Sequence, residues 1–238
     1  MTRGAWVIGG GSGIGKATAL RLARDGYHVT VSGRREEPLT ETVREIADAG
    51  GSAQAVPVDV TDDASVAAAY AAIESLEVLV CSSGANVPNR SWSDLTTADF
   101  ARLVDTNLTA IGRCVLAVLP GFRAAGVGGI VVVSSWAGWH YARASGVAYS
   151  SAKAGLGALV MALNDEEGRH GIRATLLCPG EVDTPIIRRR PVPPSEEDIE
   201  RMLKPENLAD VIGSIVALPN NVCINELVVT PLQNRLLT

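Results

Sequence analysis

Short uninterrupted apolar runs alternate along the whole chain with segments of helical i, i+3, i+4 periodicity. Apolar, β-branched runs flanked by Gly, Pro or Asp are typical of strands that are buried on both faces. Seven such runs predict strands, at residues 5–8, 28–32, 53–59, 78–82, 129–134, 174–178 and 227–230. This alternation favours an α/β fold with a doubly wound parallel sheet and helices on both faces.

The helical segments carry recognisable start signals. The longest predicted helices cover residues 97–125 and about 149–168, and Thr96 followed by Asp99 is typical of an N-cap. Pro205 is placed at the first turn of a last helix. No linker, repeat or low-complexity segment divides the chain, so we predict a single domain over residues 1–238.

One stretch lacks periodicity. Residues 184–204 contain three consecutive arginines and the prolines Pro191, Pro193 and Pro194. A loop of this length inside a compact domain is usually a lid or a binding loop. We therefore predict a substrate-binding loop at about residues 184–204.

Composition narrows the class of protein. Hydrophobic residues make up 47% of the 238, and 21 basic against 26 acidic side chains give a net charge of −5. Such a balance argues against nucleic-acid and anionic-membrane partners. No uninterrupted apolar run reaches the roughly 20 residues of a membrane span, and no signal peptide is recognisable. The four cysteines form no CxxC pair, so we expect reduced thiols, no metal site and a cytoplasmic location.

A glycine-rich turn follows the first predicted strand and precedes a helix. Its spacing is Gly9-xxx-Gly13-x-Gly15, with Ser12 and Ile14 between the glycines. Glycine permits close approach of the backbone, and a helix N-terminus can face a pyrophosphate. The pattern is neither GxGxxG nor a P-loop, so a tight turn without ligand and a methyltransferase-type nucleotide site remain alternatives.

The end of the second strand favours one dinucleotide over the other. An NAD site calls for an acidic residue about 20 positions after the glycines, to bind the ribose 2′-hydroxyl. Here Gly33 is followed by Arg34 and Arg35, whose planar forks suit a 2′-phosphate. The alternative is a solvated arginine pair that forms ion pairs with the following Glu36 and Glu37. We predict NADP as the cofactor, with NAD the weaker candidate.

A tyrosine and a lysine stand one helical turn apart after the fifth strand. Tyr149 and Lys153 lie at i and i+4, which puts them on the same helix face. A phenol with a pKa near 10 is a poor acid–base catalyst at neutral pH, and a nearby ammonium favours its phenolate. An ordinary exposed helical pair is the alternative for this motif alone. That alternative is weakened by Ser135, which lies fourteen residues upstream of Tyr149, and by the glycine-rich turn near the start of the chain.

Together these motifs give the sequence a resemblance to the classical short-chain dehydrogenase/reductase family over essentially its whole length. The ordered motifs are Gly9-xxx-Gly13-Ile14-Gly15, Asp59-Val60, Gly84, Asn107, Ser135, Tyr149-xxx-Lys153 and Pro179-Gly180 leading to Thr184. The family implies a seven-stranded single-domain Rossmann fold and hydride transfer between a nicotinamide cofactor and an alcohol or carbonyl. It also implies a small-molecule substrate and a homotetramer or homodimer.

Site residues carry over by position. Tyr149 resembles the general acid/base, Lys153 the residue that lowers its pKa and holds the nicotinamide ribose, and Ser135 the partner of the substrate oxygen. Asn107 would hold a water in the proton relay. The residues expected to contact the cofactor are Gly9, Ser12, Gly13, Ile14, Gly15, Arg34, Asp59, Val60, Ser83, Gly84, Tyr149, Lys153, Pro179, Gly180, Val182 and Thr184. The alternative function is a catalytically silent NADP(H)-binding regulatory or scaffold protein.

Two departures and one cluster stand apart from the family pattern. Ile8 replaces the usual Thr before the glycines, and Cys81-Ser82-Ser83 replaces the usual Asn-Asn-Ala before Gly84. Trp136, Trp139, His140 and Tyr141 could wall an apolar pocket or could pack a loop. Arg143 and the arginines at 188–190 could attract an anionic substrate or form a solvated patch.

Overall fold

The sheet organises the whole molecule. In the computed structural model, which describes residues 3–234, seven parallel strands have the order β3-β2-β1-β4-β5-β6-β7. The strands are β1 Gly4–Ile8, β2 His28–Ser32, β3 Ser52–Ala55, β4 Val78–Cys81, β5 Gly128–Val133, β6 Ile172–Pro179 and β7 Glu226–Val229. The predicted fold class and all seven predicted strands are confirmed.

Helices cover both faces of the sheet. They are α1 Gly13–Arg24, α2 Glu36–Asp48, α3 Asp63–Ala71, α4 Thr97–Val104, α5 Ala110–Ala125, α6 Trp136–Trp139, α7 Val147–Glu167, α8 Glu196–Arg201 and α9 Pro205–Val216. The apolar faces of α3, α5 and α7 form one core with the sheet, and those of α1, α2 and α9 form the other. Burial on both sides explains why the central strands are apolar without alternation.

Two segments differ from the sequence prediction. The third strand ends at Ala55 rather than residue 59, because Pro57 has no N–H to donate; the backbone amides of Val56 and Val58 still donate to β2 and Gly33. The predicted irregular stretch 184–204 contains a 3₁₀ turn, Ile187–Arg189, and helix α8. The signal for α8 was present: Ser195 and Asp198 form a capping box at its start.

The predicted helix at residues 97–125 is continuous but not uniform. Thr96 caps it by accepting from the amide of Asp99, and a π-helical turn at Asp105–Thr109 joins α4 to α5. The helical run Thr97–Ala125 is long and apolar enough to span a membrane. The sequence predicted no such segment, because no uninterrupted apolar run reaches about 20 residues. One face of this helical run, which includes Ile111, Val115, Val118 and Phe122, instead packs against the sheet as that of a core helix does.

Candidate functional site

A cleft of about 790 Å³ runs along the carboxyl ends of β1, β2, β4, β5 and β6. The order of the strands reverses between β1 and β4, and open α/β sheets bind ligands in the crevice that this reversal creates. Arg34 lines one end of the cleft, and Tyr149 and Arg190 line the other. The cleft therefore joins the two sets of residues that the sequence singled out.

The glycine turn after β1 forms the floor of the cleft. Gly9 and Gly13 have φ angles of +83° and +53°, which side chains other than glycine rarely adopt. A Cβ on Gly9 would lie 2.9 Å from the backbone nitrogen of Ser83, at the end of β4. Ser12 caps α1, and its side chain makes no capping hydrogen bond. The turn thus presents a helix N-terminus and a free hydroxyl to the cleft.

Gly15 serves the turn without lining the cleft. A Cβ on Gly15 would lie 2.2 Å from the carbonyl oxygen of Gly9, so only glycine lets α1 pack this closely against the turn. The neighbouring Gly13, Ser12 and Ile14 do line the cleft. The structure therefore places Gly15 behind the predicted cofactor contacts rather than among them.

At the far end of the turn, two arginines and an aspartate meet. Asp59 accepts hydrogen bonds from the Thr61 amide (2.9 Å) and hydroxyl (2.7 Å), which lower the pKa of its carboxyl, and the charge of Arg34 adds to this effect. Arg34 and Arg35 are exposed, and neither has a carboxylate within 4 Å among residues 3–234. The alternative in which they pair with Glu36 and Glu37 is therefore not what the structure contains.

Ser135 and Tyr149 come together at the other end of the cleft. Ser135 follows β5 and caps α6 by accepting from the Ala137 amide at 3.2 Å, and Tyr149 lies in the first turn of α7. Burial raises the pKa of Tyr149, while the nearby Ser135 hydroxyl and the charges of Arg190 and Arg90 oppose that rise. The half-buried phenol lines the cleft and faces positive charge.

Lys153 is buried beside this pair. Its ammonium donates to the Val133 carbonyl at 2.8 Å and lies 5.9 Å from the centre of the Tyr149 ring. Burial lowers the pKa of Lys153 to about 8, and the neighbouring thiols of Cys81 and Cys178 oppose that shift. The charges that lower the pKa of Tyr149 come from arginines, so the predicted action of Lys153 on the phenol stays a prediction.

Asn107 lies behind the cleft at the π-helical turn. Its amide nitrogen donates to the carbonyls of Ala85 and Leu103, both at 2.9 Å, and its oxygen accepts from the Ala85 amide at 3.0 Å. Both amide hydrogens are therefore used to hold the chain beside Gly84. The predicted relay water would therefore have to bind a group other than the Asn107 amide nitrogen, and the role of Asn107 stays a prediction.

Comparisons with known proteins identify the family. The family described as short chain dehydrogenase matches residues 3–192. This chain belongs to the short-chain dehydrogenase family. A cis-4-hydroxycyclohexanecarboxylate dehydrogenase of Sinomonas cyclohexanicum is 36% identical over 90% of this chain and 89% of its own length.

Solved structures of dehydrogenases and reductases share the whole fold. An alcohol dehydrogenase from the archaeon Thermococcus sibiricus, complexed with 5-hydroxy-NADP, superimposes with a TM-score of 0.87, with 26% identity and 99% coverage of both chains. An actinorhodin polyketide ketoreductase variant with NADPH gives a TM-score of 0.89, with 29% identity and 98% coverage of both chains. The dehydrogenase described here is accordingly an oxidoreductase of this family.

The remaining predicted cofactor contacts of the dehydrogenase line the same cleft. They are Val60, Ser83, Gly84, Pro179, Gly180, Val182 and Thr184. A Cβ on Gly13 would lie 3.0 Å from the methyl carbon of Thr184, so the loop after β6 closes over the glycine turn. At the two departures from the family pattern, Ile8 is fully buried and the Ser83 hydroxyl is buried without a hydrogen-bond partner.

The aromatic cluster after Ser135 packs on itself. The rings of Trp136, Trp139 and His140 lie 5.0–6.3 Å apart, and none of them lines the cleft. Of the arginines considered from sequence, Arg188 forms ion pairs with Asp183 and Glu196, while Arg190 lines the cleft. Arg90 also lines the cleft, although it belongs to no sequence motif.

Proposed function

We propose that this dehydrogenase transfers a hydride between NADP(H) and a small alcohol or carbonyl compound, with Tyr149 as the general acid/base. The observation that carries the proposal is one continuous cleft, which joins the glycine turn and Arg34 to Ser135 and Tyr149. The NADP(H) ligands of the two structural neighbours and the alcohol named for the relative from Sinomonas support it.

The residues present fit a dinucleotide. Gly9 lets the turn pack against the backbone of Ser82 and Ser83, where a Cβ would collide, and the buried Ser83 hydroxyl lacks a protein partner there. Ser12 and the start of α1 suit the pyrophosphate, and Arg34 suits a 2′-phosphate. When bound, the nicotinamide would supply or accept the hydride.

The protein's own part is proton transfer and orientation. Tyr149 would give its proton to the carbonyl oxygen during reduction and take it from the alcohol during oxidation. Ser135 would hold the same oxygen, since it lines the cleft together with Tyr149 and lowers the pKa of that phenol. The positive charges of Arg90 and Arg190 would favour the phenolate and so oppose the effect of burial, which raises the pKa of Tyr149 overall.

Replacement of one hydroxyl tests this role. We expect Tyr149→Phe to lower kcat by about a thousandfold, because positioned acid–base groups contribute roughly 10²–10⁴. Tyr141→Phe is the matched control, since Tyr141 is exposed and does not line the cleft. The assay follows NADPH absorbance over a panel of aldehydes, ketones and hydroxy acids.

Two results would contradict the proposal. Full activity of Tyr149→Phe would show that another group moves the proton. Tight NADPH binding without turnover of any compound would favour the silent binding protein instead. Assembly as a homodimer or homotetramer stays a prediction, supported by the exposed Leu116 of α5 and Met161 of α7, which are 68% and 66% accessible.

A further inference from the structure

Arg90 is fixed in place beside the reacting hydroxyls. It belongs to the loop between β4 and α4, and its guanidinium donates to the carbonyls of Val87 (2.6 Å) and Ala144 (2.8 Å). Asn86 ties the same two loops together by donating to the Ser145 carbonyl at 2.9 Å. These contacts use two of the five N–H donors of Arg90 and leave three. The side chain is therefore oriented before any ligand arrives.

The backbone of Arg90 is packed against the start of the helix that carries Tyr149. A Cβ on Gly146, the residue before α7, would lie 2.5 Å from the Cβ of Arg90. Gly146 also has a φ of +81°, so both the steric contact with Arg90 and the backbone conformation favour glycine there. The separation between Arg90 and Tyr149 is thus set by direct backbone packing rather than by a flexible loop.

The charge of Arg90 is uncompensated within the described part of the chain. No carboxylate of residues 3–234 lies within 4 Å of its guanidinium, whereas Arg190 pairs with the buried Glu181, whose side chain is 4% accessible. Burial lowers the pKa of Arg90, and the charge of Arg190 lowers it further. Arg90 therefore carries a half-buried positive charge that no described carboxylate pairs with, which costs free energy unless a ligand compensates it.

We propose that the substrate of this dehydrogenase is a hydroxy acid or oxo acid whose carboxylate is bound by Arg90 while its hydroxyl or carbonyl oxygen contacts Ser135 and Tyr149. This inference rests on the proposed function. A carboxylate would pair with the guanidinium of Arg90, whose planar fork matches the two carboxylate oxygens. A dinucleotide would occupy much of the 790 Å³ cleft, so the acid must be small.

The test compares acids with uncharged compounds of the same shape. Small oxo acids, 4-oxocyclohexanecarboxylate and short-chain oxo acids among them, are each paired with the corresponding carboxamide, and NADPH oxidation is followed for both. We expect the wild-type enzyme to prefer the acid in at least one pair by tenfold or more in kcat/KM, since a hydrogen bond to a charged group contributes about 1.5–3 kcal/mol.

A variant assigns that preference to one residue. Arg90→Gln should lower kcat/KM for the preferred acid about 30-fold more than for its amide, with the difference lying mainly in KM. Arg90→Lys should restore part of the loss. Arg143→Gln removes an exposed arginine of the neighbouring 3₁₀ turn, outside the cleft, and serves as the control. Binding of NADPH, followed by its fluorescence, reports whether each variant is folded.

Each other outcome overturns the inference. Equal losses for acid and amide would mean that Arg90 acts only through the pKa of Tyr149, and the pH profile of kcat would then shift. Turnover of neutral ketones without preference for any acid would contradict the inferred binding of a carboxylate. The proposed function would not be affected by that result. Because this comparison uses the wild-type enzyme, it tests recognition of a carboxylate even if Arg90→Gln does not fold. An absence of turnover with every compound would overturn the proposed function and this inference with it.

Discussion

At the glycine-turn end of the cleft, the surface is made by backbone atoms of residues 9–15 and by the strand ends beside them, whereas at the Tyr149 end it is made by side chains from loops far apart in the sequence. The first end depends on steric fit, since Gly9 and Gly15 leave no room for a Cβ. The second depends on charge, since it gathers Lys153, Arg90, Arg190 and Glu181 near one phenol.

The steric character of the first end is tested by adding one methyl group. Gly15→Ala should lower the free energy of unfolding by about 3 kcal/mol, because the new Cβ would lie 2.2 Å from the Gly9 carbonyl oxygen and the backbone would have to move. Urea denaturation measures the change, and NADPH affinity should fall with it.

Gly168→Ala is the matched control for this methyl group. A Cβ at Gly168 meets nothing within 4 Å, and its φ is −56°, so its stability should change by less than about 0.5 kcal/mol. Similar stabilities for the two variants would show that the turn adjusts easily and that steric fit does not distinguish this end of the cleft.

The same contrast explains what could be predicted from sequence. Residues 9–15 are consecutive and their glycines have a local backbone reason, so the turn and its position after β1 were readable. Tyr149 and Lys153 were readable because helix geometry brings i and i+4 together. Arg90 was not, since it depends on how the β4–α4 loop meets residues 144–146, which no periodicity reports. The aromatic cluster was ambiguous for the same reason.

The electrostatic character of the second end predicts a pH-dependent stability. The folded-state pKa of Lys153 is lowered from 10.5 to about 8 by burial. The unfolded chain therefore binds more protons between these values, so the buried charge costs stability below pH 8 and the cost disappears as pH rises toward 10.5. Relative to Lys153→Met, the wild-type free energy of unfolding should rise by about 2 kcal/mol between pH 7 and 9.5.

Urea titrations of both proteins at the two pH values measure this difference. Lys16→Met is the control, because it removes an ammonium that is paired with Glu45 at the surface and should not reproduce the rise. A difference between wild type and Lys153→Met that stays constant with pH would mean that the ammonium is solvated in the folded protein. The Lys153 charge at the Tyr149 end of the cleft would then cost no more free energy than a charge at the protein surface.

The smallest expected effect concerns the one place where the glycine-turn end also depends on charge. Arg34 is exposed and has no carboxylate within 4 Å among the described residues, so its fork is available to a 2′-phosphate. Arg34→Ala should weaken NADPH binding about tenfold and leave NADH binding within twofold, as measured by titration of cofactor fluorescence. Arg44→Ala, which removes an exposed arginine of α2 outside the cleft, should change neither. Equal affinities of the parent protein for NADPH and NADH would contradict the prediction that Arg34 binds a 2′-phosphate. This end of the cleft would then bind the dinucleotide through its backbone alone.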